Sequence, residues 1–122
     1  MGSISFQSVD KVFGGSVKAL DDINLEIADK EFVAIVGPSG CGKTTCLRMV
    51  AGFEAASSGT VSVNGRPVTS PGPDRAVVFQ QFALFPWKTV RENIDLGLRN
   101  KNLAIGERSE LIAEIGRASC RE

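Results

Sequence analysis

One stretch of eight residues limits this chain more than any other. Gly37-Pro38-Ser39-Gly40-Cys41-Gly42-Lys43-Thr44 fits the pattern G-x-x-x-x-G-K-[ST] without a mismatch. Before it runs Phe32-Val33-Ala34-Ile35-Val36. Five apolar residues rich in β-branching predict a strand buried on both faces of a parallel sheet. After it, Leu47, Val50 and Ala51 fall at helical spacing, and Gly52 is placed to end that helix. A strand, a glycine-rich turn and a helix in this order form a cradle for phosphate. The glycines let successive backbone N–H groups turn toward one point, and the helix N-terminus adds partial positive charge. Lys43 is expected to reach the β- and γ-phosphates of a nucleotide. Thr44 is expected to offer its hydroxyl to Mg²⁺, and Thr45 to support a neighbouring phosphate. The loop residues Ser39, Gly40, Cys41 and Gly42 complete the expected phosphate site.

Composition removes several other chemistries. The chain has 122 residues, 14 basic and 14 acidic side chains and no histidine. A length of this order allows one domain or part of a larger one. Zero net charge argues against a general nucleic-acid binder. Without histidine there is no His-based catalytic dyad, metal site or pH switch in these residues. Three cysteines, Cys41, Cys46 and Cys120, give no disulfide framework and suit a reducing compartment. Cys41 and Cys46 read as small packing residues, although a helix N-terminus can lower a thiol pKa. No apolar run approaches the roughly 20 residues of a membrane-spanning helix, and the first residues carry no secretory signal pattern.

Elsewhere the pattern alternates between strand and helix signals. Residues 3–9 alternate apolar and polar as a half-buried strand does, and Gly14-Gly15 then turns the chain. Val17 to Ile27 reads as a second extended stretch. Gly59 to Val68 reads as a hairpin with a type I′ turn at Asn64-Gly65, and Pro67 marks the returning strand as an edge. Arg75 to Phe79 reads as a further short strand. Thr89 and Glu92 fit a capping box, and Val90, Ile94 and Leu98 follow along one helix face. A last helix is expected from near Gly106-Glu107.

The phosphate motif alone leaves GTPases, kinases, helicases and transport ATPases open. The surrounding residues narrow this. Leu20-Asp21-Asp22-Ile23-Asn24-Leu25, the motif itself, Met49-Val50-Ala51-Gly52 and Ser58-Gly59-Thr60-Val61-Ser62-Val63-Asn64-Gly65 together resemble the ATP-binding cassette (ABC) ATPases. Val78-Phe79-Gln80, with Val78 35 residues after Lys43, resembles that family's Q-loop, and Leu84-Phe85-Pro86-Trp87-Lys88-Thr89-Val90 and Asn93 follow. The resemblance covers residues 3 to about 114. It implies an α/β fold: part of a P-loop NTPase core beside an antiparallel β-subdomain formed by residues 3–27 and 59–68.

The resemblance also implies roles. Phe13 matches an aromatic that stacks on adenine, and Val17 would pack beside the nucleoside. Gln80 would meet Mg²⁺ and the attacking water. The apolar segment Phe82–Trp87 would dock a membrane permease subunit. ATP and Mg²⁺ would be the cofactors, and a second ATPase subunit the partner across a shared pair of nucleotides. A solute-binding protein would act indirectly. The location would be the cytoplasmic face of the cell membrane. The wording Pro73-Asp74-Arg75 and Leu84–Trp87 is closest to importers of the nitrate, sulfonate and taurine group. A soluble P-loop ATPase or a nucleotide kinase is the alternative, but no arginine-rich lid is found.

The family's signature sequence, its second acidic strand and its switch histidine are not among these residues. Truncation explains this more simply than degeneracy, because the phosphate motif and Gln80 segment are undamaged. Residues 1–114 are then the N-terminal half of the family's domain. Residues 115–122, Ile-Gly-Arg-Ala-Ser-Cys-Arg-Glu, are what a widely used DNA-sequencing adapter encodes in one frame. They are expected to be read-through, with Gly116 interrupting the helix pattern.

Overall fold

The computed structural model describes residues 2–81, 83–99 and 101–119. Phe82 of the predicted docking segment and residues 120–122 of the tail, with Cys120, lie outside the described residues. The chain forms two compact units, residues 1–78 and 79–122.

In the first unit, β1 (Ile4–Phe13) and β2 (Val17–Ile27) form a long hairpin. It is followed by α1 (Lys43–Ala51), β3 (Ser58–Val63) and β4 (Arg66–Pro67). The sheet order is β2-β1-β3-β4, antiparallel at every step. β4 is therefore an edge strand, where a proline without an N–H does least harm. Asn64 and Gly65 both have positive φ, 52° and 74°, as a type I′ turn requires.

β1 runs four residues beyond the alternating pattern, and a bulge explains how. With strict period 2, Phe6 and Val9 would face opposite sides. The register shifts between them, and Ser8 takes φ 47°. Opposite, Asp22 takes φ 45° between Leu20 and Ile23. These breaks bring Phe6, Val9 and Leu20 into one core with Val61 and with Met49 of α1. The N–H groups that leave the ladder find side chains. Ser8 donates to Asn24 Oδ1 at 2.9 Å, and Asp22 donates to Asp10 Oδ1 at 2.7 Å. Met49, 1% exposed, fastens α1 to the sheet. Burial of a side chain of that size is worth about 1.5–3 kcal/mol.

α1 ends as its glycine predicts. Gly52 N–H bonds Met49 O at 3.1 Å and Phe53 N–H bonds Arg48 O at 2.9 Å, the paired bonds of a Schellman motif. Arg75 braces the same end. Its guanidinium donates to Val50 O at 3.0 Å and Ser70 O at 2.9 Å.

Two expected strands are not formed among the described residues. Phe32–Val36 and Arg75–Phe79 lie outside the paired ladder. Phe32 is 94% exposed and Val36 91%, where burial on both faces is expected. A strand exists only through neighbours that take its N–H and C=O groups, and β1 and β3 already pair with each other. A cavity of about 470 Å³ in this unit is lined by Phe6, Leu25, Val33, Ile35, Leu47 and Val77.

The second unit holds α2 (Val90–Leu98) and α3 (Ile105–Ser119), which pack on each other. The capping box is complete. Glu92 N–H donates to Thr89 Oγ1 at 3.2 Å, and Thr89 N–H donates to Glu92 Oε2 at 2.7 Å. The Thr89 N–H holds the Glu92 carboxyl below its usual value. Leu98 and Ile112 are buried and Ile94 half-buried, while Val90, in the first turn, is exposed. Asp95 joins the helices through Arg108 at 2.8 Å and braces Arg99 at 3.2 Å. α3 starts one residue before the expected Gly106 and runs unbroken through Gly116. A Cβ there would meet Ile94 Cδ1 only at an ordinary 3.8 Å.

Candidate nucleotide site

The phosphate loop, residues 37–44, is exposed for most of its length and runs directly into α1. The first α-helical bond is Cys46 N–H to Gly42 O, at 3.0 Å. The amides of Lys43, Thr44 and Thr45 therefore have no acceptor within the helix. Gly42 supplies no side-chain cap, and the first turn carries no acidic residue. Such an end favours an anion. Gly42 cannot be replaced freely. Its φ is 95°, and an added Cβ would lie 2.7 Å from Leu20 Cδ2 and 2.8 Å from Ala19 O. The loop thus passes hard against β2.

Lys43 folds back over its own loop. Its ammonium donates to Gly37 O and, at 2.7 Å, to Pro38 O, with Cys41 Sγ at 3.4 Å. A full positive charge is thereby held against the carbonyls at the start of the phosphate loop. Thr44 is exposed and Thr45 half-buried. The Thr44 hydroxyl is a hard oxygen donor of the kind Mg²⁺ takes beside water and phosphate oxygens, so the donor type fits that ion. Among the described residues no cluster of three or more Cys, Asp or Glu could hold a metal by itself. Burial, with Cys41 beside it, pushes the Cys46 thiol up, which keeps it protonated and unreactive.

Phe13 and Val17 are opposite each other across the β1–β2 turn, 39% and 63% exposed. The hairpin tip thereby presents an aromatic and an aliphatic side chain to solvent. Lys11 was not singled out from the sequence. Its ammonium stands 4.9 Å from the Phe13 ring centroid. Its spacing of two from Phe13 is the only signal the sequence offered.

Gln80 lies in the second unit and is exposed, as is Gln81. The loop after it carries Leu84, Phe85 and Trp87, all exposed, with the Phe85 and Trp87 rings 5.3 Å apart and tilted by 54°. Among the described residues of the expected docking segment, the apolar side chains are thus exposed and not packed into a core beneath the loop. Asn93 belongs to the segment that follows the Q-loop resemblance, and the sequence alone gives it no structural role. In the structure its amide organises this loop, with bonds to the backbone of Phe85, Lys88 and Thr89.

Among the described residues, no helix is long and apolar enough to cross a membrane. The ABC transporter family model matches residues 20–120. An uncharacterized ABC transporter ATP-binding protein of Methanocaldococcus jannaschii is 47% identical over 111 residues, 88% of this chain and 42% of that protein. The sn-glycerol-3-phosphate import ATP-binding protein UgpC of Brucella abortus is 46% identical over 121 residues, 97% of this chain and 34% of that protein. The chain thus spans well under half the length of these curated relatives. A dimeric ATP-binding cassette in a post-hydrolysis state, bound to ADP and Pi, superposes with a TM-score of 0.75 at 30% identity, covering 91% of this chain and 54% of that one. With a phosphate loop, an α/β fold and a family match over residues 20–120, this chain belongs to the ABC transporter family.

Proposed function

We propose that this chain is the nucleotide-binding N-terminal part of an ABC importer ATPase, and that the whole protein couples ATP binding and hydrolysis to solute uptake. The observation that carries the reading is the Lys43 ammonium held over a loop whose following helix has three uncommitted amides. Ser39, Gly40, Cys41, Gly42, Lys43, Thr44 and Thr45 bind the phosphates, mainly through backbone N–H groups. Lys43 neutralises phosphate charge, Thr44 holds Mg²⁺, and Phe13 and Val17 hold the base and ribose. Mg²⁺, if held there, would supply charge neutralisation for the nucleotide's phosphates. Gln80 orients the attacking water through its neutral amide, which can both accept and donate.

The whole protein would pair with a second copy, as the superposed cassette does by its description. The Phe82–Trp87 segment, of which Leu84, Phe85 and Trp87 are exposed, would dock a permease at the cytoplasmic face of the membrane, with a solute-binding protein acting through that permease. The likeness to an sn-glycerol-3-phosphate importer supports import. The Pro73-Asp74-Arg75 and Leu84–Trp87 wording favours a nitrate, sulfonate or taurine type of solute. Residues 1–114 are the native portion in this reading, and 115–122 read-through. An independent clone that runs past Glu114 with other codons supports that boundary, and the same tail in genomic DNA removes it.

The test of the central claim is ATP titration of the full-length protein with and without Lys43→Ala. A charge-assisted contact to phosphate is worth about 1.5–3 kcal/mol, so affinity should fall ten- to a hundredfold. Equal affinities would overturn the assignment.

A further inference from the structure

Phe13 is the one exposed aromatic of the β1–β2 hairpin tip, and its ring is not free to choose its orientation. The Lys11 ammonium covers it at 4.9 Å from the centroid. That ammonium is itself fixed. It pairs with Glu54 Oε2 at 2.9 Å and donates to Ala55 O at 2.7 Å. The Lys11 side chain is only 13% exposed, so it lies closely packed beside the segment that follows α1. An ammonium has three donors and no acceptor. Two go to Glu54 and Ala55, which leaves the third side of the charge for the ring. A long lysine chain on a free strand surface would spend its rotamer entropy in water. Here the anchors have already fixed it, so the contact with the ring costs little more.

We infer that Lys11 is a positioning residue for the nucleobase: anchored by Glu54 and the Ala55 carbonyl, it covers one face of the Phe13 ring and leaves the other for a purine. The inference rests on the proposed stacking of the base on Phe13. It adds the residue that prepares the ring for it. Preorganisation of this kind tightens binding by removing the cost of ordering the side chain when the ligand arrives. Lys11 touches no phosphate in this account, so its effect should be confined to ligands with a base.

The experiment measures calorimetric affinities of the full-length protein for ATP and for inorganic tripolyphosphate, which has no base. A cation over a partly exposed ring is worth about two- to fivefold in a binding constant. Lys11→Met should weaken ATP by that factor and leave tripolyphosphate unchanged. Lys11→Arg, which keeps a cation for both Glu54 and the ring, should restore ATP affinity. Glu54→Gln, which loosens the anchor but keeps the lysine, should give a smaller loss of the same kind and serves if Lys11→Met folds poorly. Equal losses for both ligands, or no loss for ATP, would overturn the role of Lys11. Phe13→Ala separates the two levels. If it weakens ATP but not tripolyphosphate, stacking stands whatever Lys11 does. If it weakens neither, the stacking reading fails and the role of Lys11 falls with it.

Discussion

The Asn93 side chain grips the Phe85 backbone from both sides: Phe85 N–H donates to Asn93 Oδ1 at 2.9 Å, and Asn93 Nδ2 donates to Phe85 O at 3.3 Å. The same Nδ2 reaches Lys88 O and Thr89 O. One amide on the first turns of α2 therefore stands in for the strand partner that this loop lacks. It also fixes the turn on which Phe85 and Trp87 meet.

Asn93→Ala should loosen that turn. Each such bond is worth about 0.5–1.5 kcal/mol net, and solvent can replace part of it here because the loop is exposed. A loss of about 1 kcal/mol in stability is expected, with a change in Trp87 fluorescence anisotropy. Trp87 is the single tryptophan, so the signal is unambiguous. Unchanged anisotropy with unchanged stability would show that the loop holds its shape without Asn93.

Two loop glycines should respond differently to alanine. Gly40 and Gly42 both have positive φ, 81° and 95°. That conformation costs a residue with a Cβ about 1–2 kcal/mol. At Gly40 nothing lies within 4 Å of an added Cβ, whereas at Gly42 it would overlap Leu20 Cδ2 and Ala19 O. Overpacking of this kind adds about 1–3 kcal/mol. Gly42→Ala should therefore destabilise the nucleotide-free protein clearly more than Gly40→Ala in chemical denaturation. Equal losses would mean that the loop does not press on β2.

What the sequence disclosed, and what it did not, follows from which interactions are local. Turn, cap and phosphate-loop geometry was legible because a few adjacent residues decide it: Asn64-Gly65, Thr89 with Glu92, Gly52, and the run from Gly37 to Thr44. The bulges at Ser8 and Asp22 were not, because serine gives no signal for a positive φ and aspartate, though it tolerates one, adopts it at few of its positions. Only the need to bring Phe6, Val9 and Leu20 onto one face demands it. The expected burial of Phe32–Val36 failed for another reason. Five apolar residues state what surroundings they need, while those surroundings must come from other strands. The β-subdomain, whose pairings all lie within residues 4–67, formed as expected. Phe13, Val17 and the phosphate loop fell within one unit, while Gln80 fell in the other.

Asp10 ties three strands together and should make the β-subdomain acid-sensitive. Its carboxylate accepts from Asp22 N–H at 2.7 Å and from Ser58 Oγ at 2.9 Å, with Lys18 at 3.7 Å. The Asp22 N–H first, then the Ser58 hydroxyl and Lys18, hold its pKa below the ordinary 3.8. In that range the folded form binds fewer protons at Asp10 than the unfolded form does. Its contribution is therefore complete above 3.8 and is lost as pH falls through the lower folded value. Asp10→Asn still offers an oxygen to Asp22 N–H but cannot titrate. Its melting temperature should fall less than that of the wild type between about pH 5 and pH 3. Parallel pH profiles would remove Asp10 from the acid response.

The last prediction concerns the 122-residue chain by itself: it should self-associate through Phe32–Val36, which precedes its phosphate loop, and through Val77-Val78. Phe32 and Val36 are almost fully exposed, and Val78 is 98% exposed. These residues border backbone that pairs with no strand, and Val33, Ile35 and Val77 line the apolar cavity beside the sheet. Unpaired N–H and C=O groups next to exposed apolar side chains are a template for joining another chain. The rest of the family's domain would cover this face in the full-length protein, where the liability should vanish. Light scattering of the isolated chain at micromolar concentration should show oligomers, and a hydrophobic dye should bind it. Phe32→Lys with Val78→Lys should reduce both signals without disturbing the β1–β2–β3 core, which uses neither residue. A wild-type chain that stays monomeric, excludes the dye and melts in one cooperative step would show that this apolar face is closed without further strands.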